Sequence, residues 1–161
     1  MSTAGVDIVR ADVKDVLRTL DSFYCYNLVV MHWARAVASR LEGPARFLLT
    51  NELQEAAADA LHAAGKLADR IGDLEGAVTA DPTHFVDRSP ITEFALPNSN
   101  SDVAVILGYA LRHIRSIIGE YQTFLDQVRG KDDLSHHLVV GLLGQEVHRE
   151  AEITAALAST N

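Results

Sequence analysis

The sequence predicts an all-α domain, and three observations support this fold class. Apolar residues recur at spacings of three and four along most of the chain, which is the period of an amphipathic helix. No segment alternates apolar and polar residues as a half-buried strand does. Helix breakers are scarce, because the 161 residues include four prolines: Pro44, Pro82, Pro90 and Pro97. We therefore expect four long helices in a single domain over residues 1–161.

Helix A is predicted over residues 13–41 and helix B over residues 45–74. The turn between them contains Gly43, which accepts the left-handed conformation of a helix end, and Pro44, which cannot continue the ladder of hydrogen bonds. Helix B is rich in strong helix formers and closes on Gly76. Two such helices, each ~40 Å long, must pack antiparallel to bury their apolar faces.

Residues 77–101 are predicted to form a long crossover loop. This segment holds three of the four prolines and lacks a helical period. A loop of this length is unusual, but a bundle of two helical hairpins needs one to return along a whole helix. The apolar residues that would pin the loop to the bundle are Phe85, Val86, Ile91, Phe94 and Leu96.

Helix C is predicted over residues 102–129, with Asp102 as its N-cap, and helix D over residues 133–158. Helix D opens on one of three polar residues: Asp132, Asp133 or Ser135. Its two glycines, Gly141 and Gly144, lower helix propensity and suggest a place where another backbone or a partner subunit comes close. The predicted architecture is a four-helix bundle of two antiparallel hairpins joined by the crossover loop.

Composition and charge restrict the classes of function. With 48% hydrophobic residues and 22% charged ones, the chain is too apolar to be disordered. Its formal net charge of -8 is the opposite of what phosphate binding requires, so we expect no dedicated DNA binding. The N-terminal residues have no signal-peptide pattern, and no apolar run is long enough to span a membrane.

Cys25 is the one cysteine, which excludes an internal disulfide, a zinc cluster of thiolates and an iron–sulfur site within one chain. A chain without disulfides fits the reducing cytoplasm, where we expect it to act. No serine or cysteine lies in a nucleophile motif and no phosphate-binding loop occurs, so the sequence identifies no catalytic residue.

Two hairpins with a long crossover are the layout of the ferritin-like superfamily, and several short stretches resemble its motifs. In helix B, Asp59-Ala-Leu-His62 resembles the family's carboxylate-x-x-His pair, and residues 67–76 resemble the helix ending that follows it. In helix D, residues 145–150 resemble the family's Glu-x-x-His segment. Other stretches similar to Dps-like ferritins are Leu96-Pro97, Ile118-Gly-Glu-Tyr121 and Arg129-Gly-Lys-Asp132. Residues 13–157 thus resemble the Dps-like or bacterioferritin-like branch.

The resemblance implies iron inside the bundle, because a carboxylate and an imidazole one helical turn apart can bind the same ion. The implied metal ligands are Glu55, Asp59 and His62 of helix B and Glu146 and His148 of helix D. The implied function is binding, oxidation and storage of iron in a homo-oligomeric shell of twelve or twenty-four subunits. No haem is expected, since the internal methionine, Met31, is better explained by packing.

Three positions depart from the family pattern: Thr19, Ile114 and Arg149 replace residues that would ligate iron. A buried guanidinium repels a metal ion, and Arg149 is expected to pair with Glu146 instead. The alternative function is therefore a non-catalytic ferritin-like shell or binding protein with a degenerate metal site. The subunit number, the oxidant and the metal stay open.

Ordinary structural roles are also open for these residues. Most of the seven histidines are expected to face solvent, and His32-Trp33 is similar to a pair in Dps proteins although residues 34–37 do not continue that motif. Glu55 and Asp59 could equally pair with Lys66 or Arg70. The tyrosines Tyr24, Tyr26 and Tyr121 are expected in the core. Apolar residues predicted on outer faces, which would favour assembly, are Leu48, Val105, Val139 and Val140.

Overall fold

The computed structural model describes residues 1–159, in which all regular structure is helical. Residues 160 and 161 of the predicted domain lie outside this range. The helices are α1 (Ala4–Asp7), α2 (Val13–Ala38), α3 (Gly43–Asp73), a 3-10 turn (Pro82–His84), α4 (Phe85–Arg88), α5 (Val103–Val128) and α6 (Asp133–Ala158). The predicted all-α bundle is confirmed, with α2, α3, α5 and α6 as helices A to D.

The first hairpin differs from the prediction at the turn between α2 and α3 and at the end of α3. Helix α2 ends at Ala38, three residues before the predicted end, and α3 begins at Gly43, whose φ of 55° suits glycine. The left-handed residue after α3 is Glu75, with φ 61°, rather than the predicted Gly76. Gly76 instead packs closely against the side chain of Leu17 on α2.

The crossover contains short helical turns, so the prediction of a loop without helix is corrected. It is tied to α2 through Asp21, whose carboxylate accepts from the backbone N–H of Thr79 at 2.8 Å and from its hydroxyl at 2.6 Å. Farther along, the Trp33 indole donates to the carbonyl of Ala95 at 3.0 Å. The loop is therefore fixed by specific polar contacts as well as by its apolar residues.

The second hairpin begins and turns on capped helix ends. Asp102 accepts a hydrogen bond from the backbone N–H of Val105 at 3.1 Å, as its predicted N-cap role requires. Of the three residues predicted to open helix D, Asp132 is the N-cap, and it accepts from the backbone N–H of Ser135 at 3.0 Å. Gly130, with φ 71°, allows the tight turn between α5 and α6.

The apolar interior consists of two clusters stacked along the bundle axis. The first joins all four long helices and is centred on aromatic residues, with Phe23 edge-on to Tyr121 at a ring distance of 4.8 Å. The second lies toward the other end, between α2, α3 and the start of α5, and includes Trp33 and Ile106. The stretches of helix between these clusters carry the polar residues described below.

Several apolar side chains lie on the outside of the protomer. Phe47 is 90% exposed, and Leu48 and Val140 are exposed as predicted. Val139 is an exception, because it is fully buried in the first cluster, and this prediction is corrected. A Cβ added at Gly141 or Gly144 would meet nothing within 4 Å, so α6 is uncovered there in the protomer.

Among the helices in residues 1–159, none combines the length and the apolarity needed to cross a membrane.

Candidate metal centre

A layer of polar side chains crosses the bundle where the first apolar cluster ends, and two tyrosines of that cluster contribute their hydroxyls to it. It lies where α2 leaves the first cluster after Tyr26, where α3 passes Asp59, and where α6 continues beyond Leu142. We call it the polar layer and define it by six residues: Tyr26, Asn27, Asp59, Tyr121, Glu146 and Arg149. All four long helices contribute to it.

Arg149 links the two carboxylates of the polar layer. Its Nη2 donates to Asp59 Oδ2 at 2.7 Å, and its Nη1 donates to Glu146 Oε1 at 3.4 Å. The Glu146 side chain is 12% exposed, that of Arg149 23% and that of Asp59 43%. The contact to Glu146 follows from helical spacing, whereas the shorter contact to Asp59 crosses from α6 to α3. One guanidinium therefore holds two carboxylates from different helices.

The hydrogen bonds of Asn27 and the two tyrosines complete the polar layer. The Asn27 amide donates to the Phe23 carbonyl at 2.8 Å and to the Tyr121 hydroxyl at 3.2 Å. The Tyr26 hydroxyl donates to the backbone carbonyl of His113 at 3.4 Å. These buried polar groups are thus partnered within the protein, as close packing requires.

Burial dominates the electrostatics of the layer. It raises the pKa of Glu146 above its ordinary value; Arg149 opposes this effect and the neighbouring Asp59 carboxylate adds to it. Burial likewise raises the pKa of Tyr26 and of Tyr121, so that both hydroxyls keep their protons at neutral pH. Arg149 is consequently the group that favours negative charge on Glu146.

The orientation of α3 separates the predicted helix B ligands. Residues that recur at heptad-like spacing face the interior, and at the level of the polar layer these are alanines. Glu55 and His62 lie on the opposite, exposed side, while Asp59 lies at the edge and reaches Arg149. The buried residues of α3 are Ala45, Leu49, Leu53, Ala57, Ala60, Ala63, Ala64, Leu67, Arg70 and Ile71. Apart from Arg70 these residues are apolar, and their burial determines which face of α3 turns inward.

On α6, Glu146 points into the layer and His148 points out of it. His148 is exposed and lies 3.2 Å from Glu152, one turn further along the same helix. The two other positions that depart from the family pattern supply no ligand either. Thr19 donates to the carbonyl of Asp15 in its own helix at 3.1 Å, and Ile114 is buried. Of the five predicted ligands, Asp59 and Glu146 are brought together, because both accept hydrogen bonds from the Arg149 guanidinium.

The arrangement of the polar layer does not fit an intrasubunit di-metal centre. Throughout residues 1–159, no three His, Cys, Asp or Glu side chains are grouped in a way that could hold a metal ion. The two carboxylates that do converge are already neutralised in part by a guanidinium, and the inward positions of α3 carry methyl groups. Ligation by the five predicted residues stays a prediction.

Two residues of this region have a structural role that the sequence did not indicate. Asn27 is a buried amide in an apolar stretch of α2, and its position four residues after Phe23, on the same helical face, is the signal that could have identified it. His113 is buried between Trp33 and Phe94, with ring distances of 4.7 and 4.9 Å. Asp59 pairs with Arg149, and not with Lys66 or Arg70, the partners that helical spacing alone offers.

Comparison with known proteins gives the same architecture. The bacterioferritin-related protein from Bacteroides fragilis, described as a dodecameric thioferritin, superimposes with a TM-score of 0.88 at 24% identity, covering 96% of this chain and 92% of that chain. Dps from Staphylococcus aureus gives 0.83 at 18% identity, with coverage of 91% and 97%. The DPS protein from Vibrio cholerae O1 gives 0.82 at 14% identity, with coverage of 90% and 90%.

These similarities to solved structures establish the fold. A search of curated proteins finds no match to this chain. The family model for the ferritin-like domain matches residues 21–161, which is most of the chain: α2 from Asp21 onward and the whole of α3, α5 and α6. The chain therefore belongs to the ferritin-like domain family.

Proposed function

We propose that the chain is one subunit of a homo-oligomeric, ferritin-like shell that binds and stores iron. The proposal of a homo-oligomer rests on the exposed apolar side chains of the protomer. Phe47, near the start of α3, is 90% exposed, and Leu61 on the same helix is 50% exposed. Subunits of a shell would bury exposed apolar side chains of this kind against one another. The other exposed apolar side chains of the long helices are Leu48, Leu134, Val140 and Val147.

Support for iron as the cargo comes from the family and from charge. The Bacteroides fragilis relative is described as a dodecameric thioferritin, and other structural relatives are Dps proteins. A net charge of -8 per subunit attracts cations toward such a shell, whether it has twelve or twenty-four subunits. The single buried cysteine, Cys25, is compatible with the cytoplasm, where we place the protein.

In this proposal the bundle centre has a structural role and does not oxidise iron. Arg149 already neutralises part of the charge on Asp59 and Glu146, and Glu55, His62 and His148 are exposed. Ion pairs of Arg149 at the bundle centre, where the family pattern has a metal site, agree with the alternative function of a non-catalytic shell.

A second candidate function adds oxidation of ferrous iron at the ligand set predicted from the sequence: Glu55, Asp59, His62, Glu146 and His148. It is supported by the convergence of Asp59 and Glu146 on one point. Under this candidate, His62→Ala slows aerobic oxidation of ferrous iron, whereas His84→Ala, on the crossover, does not. Equal rates in both variants, the wild type and a protein-free blank support the structural centre instead.

Light scattering combined with iron analysis tests the main proposal. Protein purified from iron-supplemented cells is expected to have the mass of twelve or twenty-four copies of the 17.5 kDa chain and to retain iron through gel filtration. Replacing Phe47 by serine removes the most exposed aromatic ring and is expected to shift the mass toward smaller species. A stable 17.5 kDa monomer at micromolar concentration, or an iron-free shell, contradicts the proposal.

A further inference from the structure

We propose that Arg149 is a built-in cation that occupies the place between Asp59 and Glu146, and that removing its guanidinium exposes a binding site for a divalent metal ion. The inference concerns the interior of one protomer. It deepens the proposed function, since it gives the physical reason why the bundle centre is structural. Its test does not depend on assembly, so the two can fail separately.

Arg149 contacts both carboxylates through its guanidinium. Two nitrogens of one planar guanidinium contact the two carboxylates, at 2.7 Å for Asp59 and 3.4 Å for Glu146. One guanidinium therefore bridges two carboxylates that come from α3 and α6. Two ionised carboxylates facing one point repel each other, and the guanidinium between them compensates that repulsion.

The charges of Asp59, Glu146 and Arg149 do not cancel. Two ionised carboxylates and one guanidinium give the group a net charge of -1, and the buried Tyr26 and Tyr121 hydroxyls add no charge at neutral pH. Without the guanidinium, two negative charges face each other with one of them, on Glu146, almost fully buried. A divalent cation would neutralise both, and carboxylate oxygens are ligands that such ions accept.

In the wild-type protein the guanidinium of Arg149 is expected to keep a divalent metal ion out of this place. The guanidinium is attached to α6 and is therefore always present at high local concentration, whereas a metal ion must be captured from solution. A metal ion that entered would also have to displace the 2.7 Å contact to Asp59 and would meet an unpaired positive charge beside it. We therefore expect the wild-type polar layer to bind no divalent metal.

Cobalt(II) is a suitable probe, because its visible absorption reports coordination by the protein and its binding does not depend on iron oxidation. Arg149→Ala, titrated with cobalt chloride at pH 7, is expected to bind one ion per chain about tenfold or more tightly than the wild type. Cobalt is also expected to raise the melting temperature of this variant and not that of the wild type. Arg149→Gln serves as a second variant that retains hydrogen-bonding capacity if the alanine variant folds poorly.

Two controls assign the effect to the polar layer. Arg115→Ala removes a different arginine, which pairs with Glu150 between α5 and α6 on the surface, and is expected to gain no cobalt binding. Arg149→Ala combined with Glu146→Gln is expected to lose the gained binding. The proposal is overturned by a folded Arg149→Ala or Arg149→Gln that binds cobalt no better than the wild type. It is also overturned by a wild type that already binds cobalt through Glu146.

Discussion

Arg70 and Asp132 form a buried ion pair between the end of α3 and the start of α6, with Arg70 Nη2 2.8 Å from Asp132 Oδ1. Arg70 is 5% exposed and Asp132 is 3% exposed. The Arg70 Nε also donates to the Ser135 hydroxyl at 2.9 Å. Because Asp132 is at the same time the N-cap of α6, this contact fixes the register of the two hairpins.

Replacing Arg70 by alanine is expected to lower the free energy of unfolding by about 3–5 kcal/mol, since it leaves the Asp132 carboxylate buried without its partner. Urea denaturation followed by circular dichroism measures the loss. Arg115→Ala is the matched control, because the Arg115–Glu150 pair is partly solvated and is expected to contribute at most about 1 kcal/mol. Equal losses in the two variants would show that the buried pair has no special role.

Gly76 is expected to tolerate no side chain. A Cβ at this position would lie 2.5 Å from Leu17 Cδ2 and 3.2 Å from Ile71 Cγ2. We expect Gly76→Ala to destabilise the protein by about 1–3 kcal/mol, because the core must shift to make room. The control is Gly72→Ala within α3, where a Cβ meets nothing within 4 Å and which is expected to stabilise by roughly 0.5–1 kcal/mol. Thermal unfolding curves that shift in the same direction for both variants would contradict this account.

His113 is expected to make stability depend on pH below about 6.5. Burial lowers the pKa of His113, Arg112 adds to the effect, and a backbone hydrogen bond at Glu93 opposes it. The unfolded chain therefore binds this proton more readily than the folded one. The contribution to stability is complete above the unfolded pKa and is lost as the pH falls from that value through the lower pKa of the folded state.

The measurement is the free energy of unfolding between pH 7 and pH 5 for the wild type and two variants. His113→Gln is expected to show a smaller loss on acidification than the wild type, although it is less stable at pH 7. His84→Gln, on the exposed crossover, is expected to follow the wild-type profile. A wild-type profile unchanged by His113→Gln would assign the acid sensitivity to other groups.

The fold was predictable because its signals are local. Each long helix has its own apolar period, and Asp102 and Asp132 cap helices where the sequence indicates a start. The short turns inside the crossover were not predictable in the same way. The crossover is held against α2 by distant partners, such as Tyr24 edge-on to Phe85 of α4 and Asp21 hydrogen-bonded to Thr79, which no local pattern contains.

The candidate site was predictable only in part. The shared face of Glu55, Asp59 and His62 follows from helical spacing, but spacing does not tell which face turns inward. Alanine is only weakly hydrophobic, so Ala57 and Ala60 do not mark the inward face of α3 in the sequence although both are buried. The pairing of Arg149 with Glu146 was expected from the sequence, whereas its contact with Asp59 depends on how α3 and α6 are aligned in space.

DNA binding is expected to be absent or weak, in spite of the structural similarity to Dps proteins. A net charge of -8 repels phosphates, and binding by counterion release needs several cations on one surface. Electrophoretic mobility shift of random duplex DNA at low salt checks this. Tight retardation that disappears as salt is added would contradict the expectation.

The most direct test of the central claim is a crystal structure of the iron-loaded protein with anomalous scattering at the iron edge. The account predicts Arg149 in contact with Asp59 and Glu146 and no iron peak between α3 and α6, with the iron located elsewhere in the shell. An iron peak coordinated by Asp59 and Glu146, with the guanidinium turned away, would contradict it.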